Sequence, residues 1–331
     1  MPPLTIALVG CGNISQVHAR VFLAHPELIQ PAGVCDTAES KAEQRGRQLG
    51  CAVRSWDDIL KDPAVQAVDL CLPHALHKAM TIEALDAGKH VLLEKPLATT
   101  LEEADAMIAA ADRSGRVFMV AQCQRFEPEN RLIHAEITRG SIGQITMART
   151  DHLQNLDLPA GHWLADRAQA GGGVILGSGV HRIDLLRWFC GEIAEVYCAV
   201  RPMHGRLDSR MEVNALALLR HASGTISECA FNWACYNHPW FEMMALYGTQ
   251  GQIHNLDGVH IARSLELRPP RFEKLSLPTG SVDGFEGEIL HFVECIQQQK
   301  TPLTDARDNR RTLAAVLACY ESARTGQPVA P

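Results

Sequence analysis

Over the first third of the chain, short apolar runs rich in β-branched residues alternate with helix-length segments of mixed polarity. This is the pattern of a parallel sheet covered by helices. Residues 5–9, 30–35, 67–72, 89–93 and 117–121 read as strands. Helices are expected over 14–24, 40–49 and about 76–87, the last stopped by Gly88. Thr100 and Glu103 form a capping box that opens a further helix, with Ala104, Ile108 and Ala111 on one face and Gly115 at its end.

After about residue 122 the character changes to period-two segments, at 145–149, 215–219, 225–231 and 243–247, separated by turns. These predict an antiparallel sheet. Two helical segments, 286–299 and 307–325, finish the chain, the second closed by Gly326. The expected organisation is two domains, residues 1–122 and 123–331, with no internal repeat and no flexible linker.

Composition sharpens this picture mainly by exclusion. A chain of 331 residues, 46% of them apolar, has enough core for two domains. The formal charge of −7 is spread along the sequence and gives no footprint for nucleic acid or a membrane surface. No apolar run approaches the roughly 20 residues that span a bilayer, and the start lacks a secretory pattern, so a cytoplasmic location is expected. The 11 cysteines are scattered without a CxxC pair and read as reduced thiols.

Gly10-Cys11-Gly12-Asn13-Ile14-Ser15 links the first strand to the first helix, where a GxGxxG-type turn binds a pyrophosphate. Gly10 permits the turn, Gly12 lets the backbone approach phosphate, and Ser15 stands in for the third glycine. Asp36 ends the second strand, where a carboxylate accepts ribose hydroxyls and repels a 2′-phosphate. Thr37 follows it without an adjacent arginine, so NAD is favoured over NADP.

Glu94-Lys95-Pro96 at the end of a parallel strand, and Gly171-Gly172-Gly173 followed by Gly179-Val180-His181-Arg182-Ile183-Asp184, carry a resemblance to a known family. With the VGCGN start, the CLPHALH segment, VAQCQRF and the LYGTQG turn, the chain strongly resembles the glucose-fructose oxidoreductase/inositol dehydrogenase/rhizopine catabolism (Gfo/Idh/MocA) family along nearly its whole length. The resemblance implies an α/β fold: an N-terminal Rossmann domain with a parallel sheet, then a C-terminal α+β domain on an open, mainly antiparallel sheet. It also implies nicotinamide chemistry on sugars, cyclitols and related polyols by a homodimer or homotetramer.

Carried over residue by residue, Lys95 contacts cofactor and substrate, Glu94 lies by the nicotinamide ribose, and Pro96 has a cis bond. Leu72, Pro73, His74 and His77 form a loop near the cofactor. The usual D-x-G-x-H-x-x-D pattern has Gly177 in place of its first aspartate, while His181 and Asp184 are kept. Candidate substrate contacts are Asp184, Arg125, His152, Gln154 and Trp163, with Arg167, Trp233 and His238 in segments that can border the pocket. His74 and His77 lack a third ligand in the right context, so no metal is expected.

Oxidising an alcohol requires removal of the hydroxyl proton as hydride leaves the carbon. His181 is suited to that proton because imidazole titrates near neutrality. Lys95 can stabilise the developing alkoxide or, if desolvated, accept the proton itself. Asp184, three residues after His181, can bind a substrate hydroxyl or orient the histidine. Two other functions stay open: an NAD-dependent glycosidase of the same architecture, and a non-catalytic NAD-binding sensor prompted by Gly177.

Overall fold

The structure, a computed structural model, describes residues 2–159, 161–202, 211–235, 240–263 and 271–331. The chain begins with β1 (Leu4–Val9), α1 (Ile14–Ala24), β2 (Ile29–Cys35), α2 (Glu39–Leu49), α3 (Trp56–Lys61), β3 (Ala67–Leu70), α4 (His77–Asp86), β4 (His90–Glu94), α5 (Leu101–Ser114) and β5 (Phe118–Ala121). These strands form one sheet in the order β2-β1-β3-β4-β5, parallel throughout. Its central strands are buried at nearly every position, as a sheet covered on both faces requires. Thr100 accepts the Glu103 N–H at the start of α5 and Gly115 takes a left-handed φ at its end. The short α3, capped by Ser55, has no counterpart in the sequence reading because six residues are too few to show a period.

The chain continues with α6 (Pro128–Thr138), β6 (Ile145–Leu153), α7 (Arg167–Ala170), α8 (Val180–Cys190), β7 (Ile193–Pro202), β8 (Glu212–His221), β9 (Ile226–Asn232), β10 (Phe241–Gly248), β11 (Gln252–His254), β12 (His260–Ala262) and β13 (Glu273–Lys274). They build an eight-stranded sheet ordered β13-β12-β11-β10-β6-β9-β8-β7, antiparallel except between β6 and β9. Helix α8 packs against β6 and β9. In β8 the alternation is sharp: Val213, Ala215, Ala217 and Leu219 are buried, whereas Leu216 and Leu218 are 65% and 59% exposed. Met147, Tyr197, Val200 and Ile226 add further exposed apolar surface on this sheet. The chain ends with α9 (Gly284–Gln298) and α10 (Ala306–Thr325).

Two compact units result, 1–126 with 283–310, and 127–282 with 311–331. They differ from the expected continuous second domain over 123–331 in the segment 283–310. The segment 283–310 returns to the first unit because α9 packs against α1 and puts Ile289, Phe292 and Val293 into the core with Phe22 and Met119. The Thr304 hydroxyl also donates to the Val120 carbonyl, at 2.7 Å. All eleven cysteines are free of disulfides, and burial pushes Cys71 and Cys190 up to about 12. Among the described residues no helix is long and apolar enough to cross a membrane.

Candidate active site

In the first unit the candidate residues gather at the carboxyl edge of the parallel sheet. Gly10 has φ +89°, and a Cβ there would lie 2.1 Å from the Cys71 carbonyl oxygen, so only glycine fits. At Gly12 a Cβ would meet nothing within 4 Å, and the turn faces open space. Helix α1 starts just beyond, with Asn13 as its N-cap and no side-chain cap bond. Ser15 is buried in the place of the third glycine, its hydroxyl folded back onto the Gly12 carbonyl at 2.7 Å. An open turn leading into an uncapped helix N-terminus fits a pyrophosphate, which needs close backbone approach and N–H donors.

Asp36 is pinned beside this turn. Its two oxygens accept the Cys11 N–H at 2.6 Å and the Ala38 N–H at 2.7 Å, and Thr37 next to it is exposed. The buried Arg45 of α2 donates to the Gly12 carbonyl at 3.4 Å and to Gln48. That cation was passed over in the sequence because it lies nine residues beyond Asp36, one helix away from the motif.

Leu70 of β3 pairs with Val9 of β1 and with Leu93 of β4, so the loops that follow these strands share one edge. His77 ties two of them together. It is fully buried, with Nδ1 2.8 Å from the Pro96 carbonyl and Nε2 3.0 Å from the Leu72 carbonyl. Burial pushes His77 below its ordinary value, against the opposing pull of those carbonyls. His74, also buried, sets its ring edge-on to His77 at 5.4 Å. The Lys95–Pro96 peptide is cis, and Lys95 is half-buried behind the buried Glu94.

In the second unit Gly171-Gly172-Gly173 leads into a π-helical turn, Ile175–Gly179, that runs directly into α8. Glu212 holds the turn by accepting the Gly173 N–H at 3.1 Å, the Ile175 N–H at 3.0 Å and the Tyr320 hydroxyl at 2.9 Å. A Cβ on Gly177 would fall 2.4 Å from Cη2 of Trp233. The place of the family aspartate is therefore filled by an indole, buried at 2% exposure, whose Nε1 donates to the Ser178 hydroxyl at 2.9 Å. His181 stands half-buried in the first turn of α8.

Several expected substrate contacts turn out to be engaged internally. Asp184 is 1% exposed, accepts the Thr312 hydroxyl at 2.7 Å and lies 4.0 Å from Arg187. Buried His152 has Nδ1 2.8 Å from Glu242, which also pairs with Arg182. In the first unit Arg125 is buried against Asp308 at 2.7 Å and the Leu303 carbonyl at 3.2 Å. This engagement has one physical cause: a charged group withdrawn from water is held by an opposite charge or a hydrogen bond nearby. Gln154 and Trp163 remain half-buried, Trp163 stacked on His162 at 5.8 Å, and Arg167 is exposed at the start of α7. His238 lies outside the described residues.

The sequence reading also missed His18 and Asp69. A histidine on the sheet-facing stripe of α1 and an aspartate inside the apolar strand AVDL are the signals that mark them.

Comparison with known proteins agrees along the whole chain. It is 31% identical over 283 residues to 1,5-anhydro-D-fructose reductase of Ensifer adhaerens, covering 84% of each chain. It is 28% identical over 338 residues to the NAD(+)-dependent scyllo-inositol 2-dehydrogenase of Bacillus subtilis, covering 98% of this chain and 95% of the relative. Among solved structures, levoglucosan dehydrogenase in complex with NADH and levoglucosan superposes with a TM-score of 0.89 at 24% identity over 99% of both chains. Aldose-aldose oxidoreductase from Caulobacter crescentus, complexed with glycerol, gives 0.86 at 26% identity over 99% of this chain and all of the other. Residues 4–122 match an oxidoreductase family with an NAD-binding Rossmann fold, and residues 130–254 match the C-terminal domain of the same family. The chain belongs to the GFO/IDH/MocA oxidoreductase family.

Proposed function

We propose that this protein is an NAD-linked dehydrogenase or reductase that acts on a hydroxyl-bearing carbon of a sugar, cyclitol or related polyol. The observation that carries the reading is the shared carboxyl edge of one sheet: an open Gly12 turn after β1 and the half-buried Lys95 after β4. Bound at that edge, nicotinamide would supply the hydride acceptor or donor. Gly10, Gly12, Asn13 and Ile14 cradle the pyrophosphate, and Asp36 accepts the adenosine ribose hydroxyls. The same carboxylate disfavours a 2′-phosphate, which makes NAD the cofactor rather than NADP. His77, set between the Leu72 and Pro96 carbonyls and donating to one of them, shapes the loops against which the cofactor lies, with His74 packed on it.

Lys95 donates hydrogen bonds to the reacting oxygen and stabilises negative charge there, while His181 exchanges its proton. Gln154 and Trp163 have exposed surface with which to select the sugar; Asp184 and His152 brace the second unit, and Arg125 braces the first. The uncovered apolar face of the second sheet is large enough in side chains to require a partner, and a second copy of this chain is the occupant we assign. Reduced thiols throughout suit a cytoplasmic location.

The test is turnover of inositols, aldoses, amino sugars and sugar acids with NAD and NADP in parallel, followed by NADH absorbance. Lys95→Ala should lower kcat by at least about 10²-fold and leave NADH affinity within a few-fold. Wild-type turnover in that variant, or no turnover by the parent across the panel, overturns the assignment.

A further inference from the structure

Behind the Glu94-Lys95-Pro96 loop lies a cluster of ionisable groups that the mechanism above does not use. His18 on α1 is completely buried and faces the parallel sheet. Its Nδ1 is 2.7 Å from Oδ2 of Asp69, a carboxylate inside β3, and its Nε2 is 3.3 Å from Oε1 of Glu94. The second Glu94 oxygen accepts the main-chain N–H of Lys95 at 3.1 Å. The Cys71 sulfur approaches both His18 and Asp69 at 3.8 Å, the Phe285 ring of α9 is 6.2 Å from the imidazole, and Glu288 of α9 brings a third carboxylate within 4.8 Å of His18 and Glu94.

We infer that His18 is a positioning residue for the cofactor-facing loop, its ring bridging Asp69 to Glu94 and thereby fixing the carboxylate and the backbone of Lys95 at the end of β4. The inference rests on the proposed reading of Glu94 and Lys95. Nδ1 is hydrogen-bonded to Asp69, Nε2 faces Glu94 at ion-pair distance without a formed hydrogen bond, and only the doubly protonated ring presents an N–H to each carboxylate. Burial works against that charge, but the Asp69 carboxylate outweighs it and holds His18 well above its ordinary value. Burial likewise opposes ionisation of Glu94, yet His18 and Lys95 hold it below the usual carboxylate range. The groups facing His18 are thus Asp69 and Cys71 from the β3 side, Glu94 from β4 and Glu288 from α9, with Lys95 acting on Glu94. Cys71 is pushed up to about 12 by burial and the Asp69 charge, so it stays a thiol. An ordered, negatively charged Glu94 is what a ribose hydroxyl needs as acceptor.

The test uses the full chain in two ways. Nitrogen NMR of the histidine rings without ligand should show His18 protonated on both nitrogens across neutral pH. A neutral-tautomer signature there overturns the inference and needs no variant. The second measurement is a double-mutant cycle with His18→Asn and Glu94→Gln, read on kcat and on NADH dissociation constant by fluorescence. His18→Asn alone should lower kcat at least tenfold, weaken NADH severalfold and move the acid limb of the kcat/KM profile to higher pH, because Glu94 then takes a proton more readily. Added to Glu94→Gln it should change either readout less than twofold, since a neutral amide no longer needs the cation. Multiplicative losses overturn the positioning role; if His18→Asn fails to fold, His18→Gln takes its place in the cycle. Wild-type turnover in Lys95→Ala refutes the proposed site instead, and the ring-nitrogen signature still decides whether His18 bridges the two carboxylates.

Discussion

Replacing Gly177 by aspartate would restore the residue usual at this point of the family motif, and the structure says the protein should resist it. The new Cβ would lie 2.4 Å from Cη2 and 2.7 Å from Cζ2 of Trp233. Ordinary carbon contacts are about 3.5–4 Å, so the indole must retreat by roughly 1 Å or more. It has nowhere cheap to go, being 2% exposed and bonded through Nε1 to Ser178. Overpacking of this kind costs about 1–3 kcal/mol, the strained Trp233–Ser178 bond about 1 more, and a newly buried carboxylate about 1–3. A total near 5 kcal/mol corresponds to a drop of roughly 10–20 °C in Tm for a unit of this size. Differential scanning calorimetry of Gly177→Asp measures it. Trp233→Ala opens the space at its own cost of roughly 3–5 kcal/mol, so the double variant should be at least about 1 kcal/mol more stable than the sum of the singles predicts. A Gly177→Asp protein that melts within about 2 °C of the parent, or strictly additive losses, would refute the steric argument.

Other expectations follow from single contacts. His90 is pulled down to about 4 by burial and by Arg116, and its Nδ1 accepts the Val117 N–H at 3.0 Å. The unfolded imidazole takes a proton as pH falls through 6.5 while the folded one does not until about 4, so stability present above 6.5 is lost toward pH 4. After allowance for partial exposure this amounts to about 2 kcal/mol, and urea midpoints for His90→Asn should fall less steeply with pH; parallel curves would rule the effect out. His77→Ala removes the ring set between the Leu72 and Pro96 carbonyls and leaves one of them without its donor, and should cost about 2 kcal/mol in chemical denaturation and raise KM for NAD severalfold; an unchanged KM would free the loop from His77. Glutamate at both Leu216 and Leu218 should convert an assembly held by that sheet face to monomers in analytical ultracentrifugation, whereas an intact assembly would place the interface elsewhere.

Much of this was legible in the sequence, for identifiable reasons. Strands β1, β3, β4 and β5 are buried on both sides and therefore read as continuous apolar runs, and α5 announced itself by Thr100, Glu103 and Gly115. The two motif-bearing turns were readable because glycine is forced there by close approach, at Gly10 by the Cys71 carbonyl and at Gly173 by the Glu212 carbonyl. What escaped was set by contacts far apart in the chain. Nothing local tells that residues 283–310 return to the first unit, that Trp233 occupies the volume beside Gly177, or that Glu242 joins His152 to Arg182. The internal partners of Asp184 and Arg125 were hidden for the same reason: a charged residue near a motif shows nothing in sequence of the Thr312 or Asp308 that holds it.

The way the carboxylates of the second unit are spent narrows the acid–base assignment. Glu212 accepts two main-chain N–H groups and the Tyr320 hydroxyl, Glu242 serves His152 and Arg182, and Asp184 serves Thr312 and Arg187. Burial pushes Glu212 above the usual carboxylate range, and its bonds to the π-helical turn make it a structural acceptor. An acid so engaged would have to break those bonds to exchange a proton with a substrate, a cost that a half-exposed group avoids. The position at which the family motif offers one more carboxylate holds Gly177 covered by Trp233, which can neither give nor take a proton. On the proposed reading, the motif residues left to handle the hydroxyl proton are His181 and Lys95, each half-buried in its own unit, and Lys95→Ala is the variant that separates a working dehydrogenase from a nucleotide-binding protein without turnover.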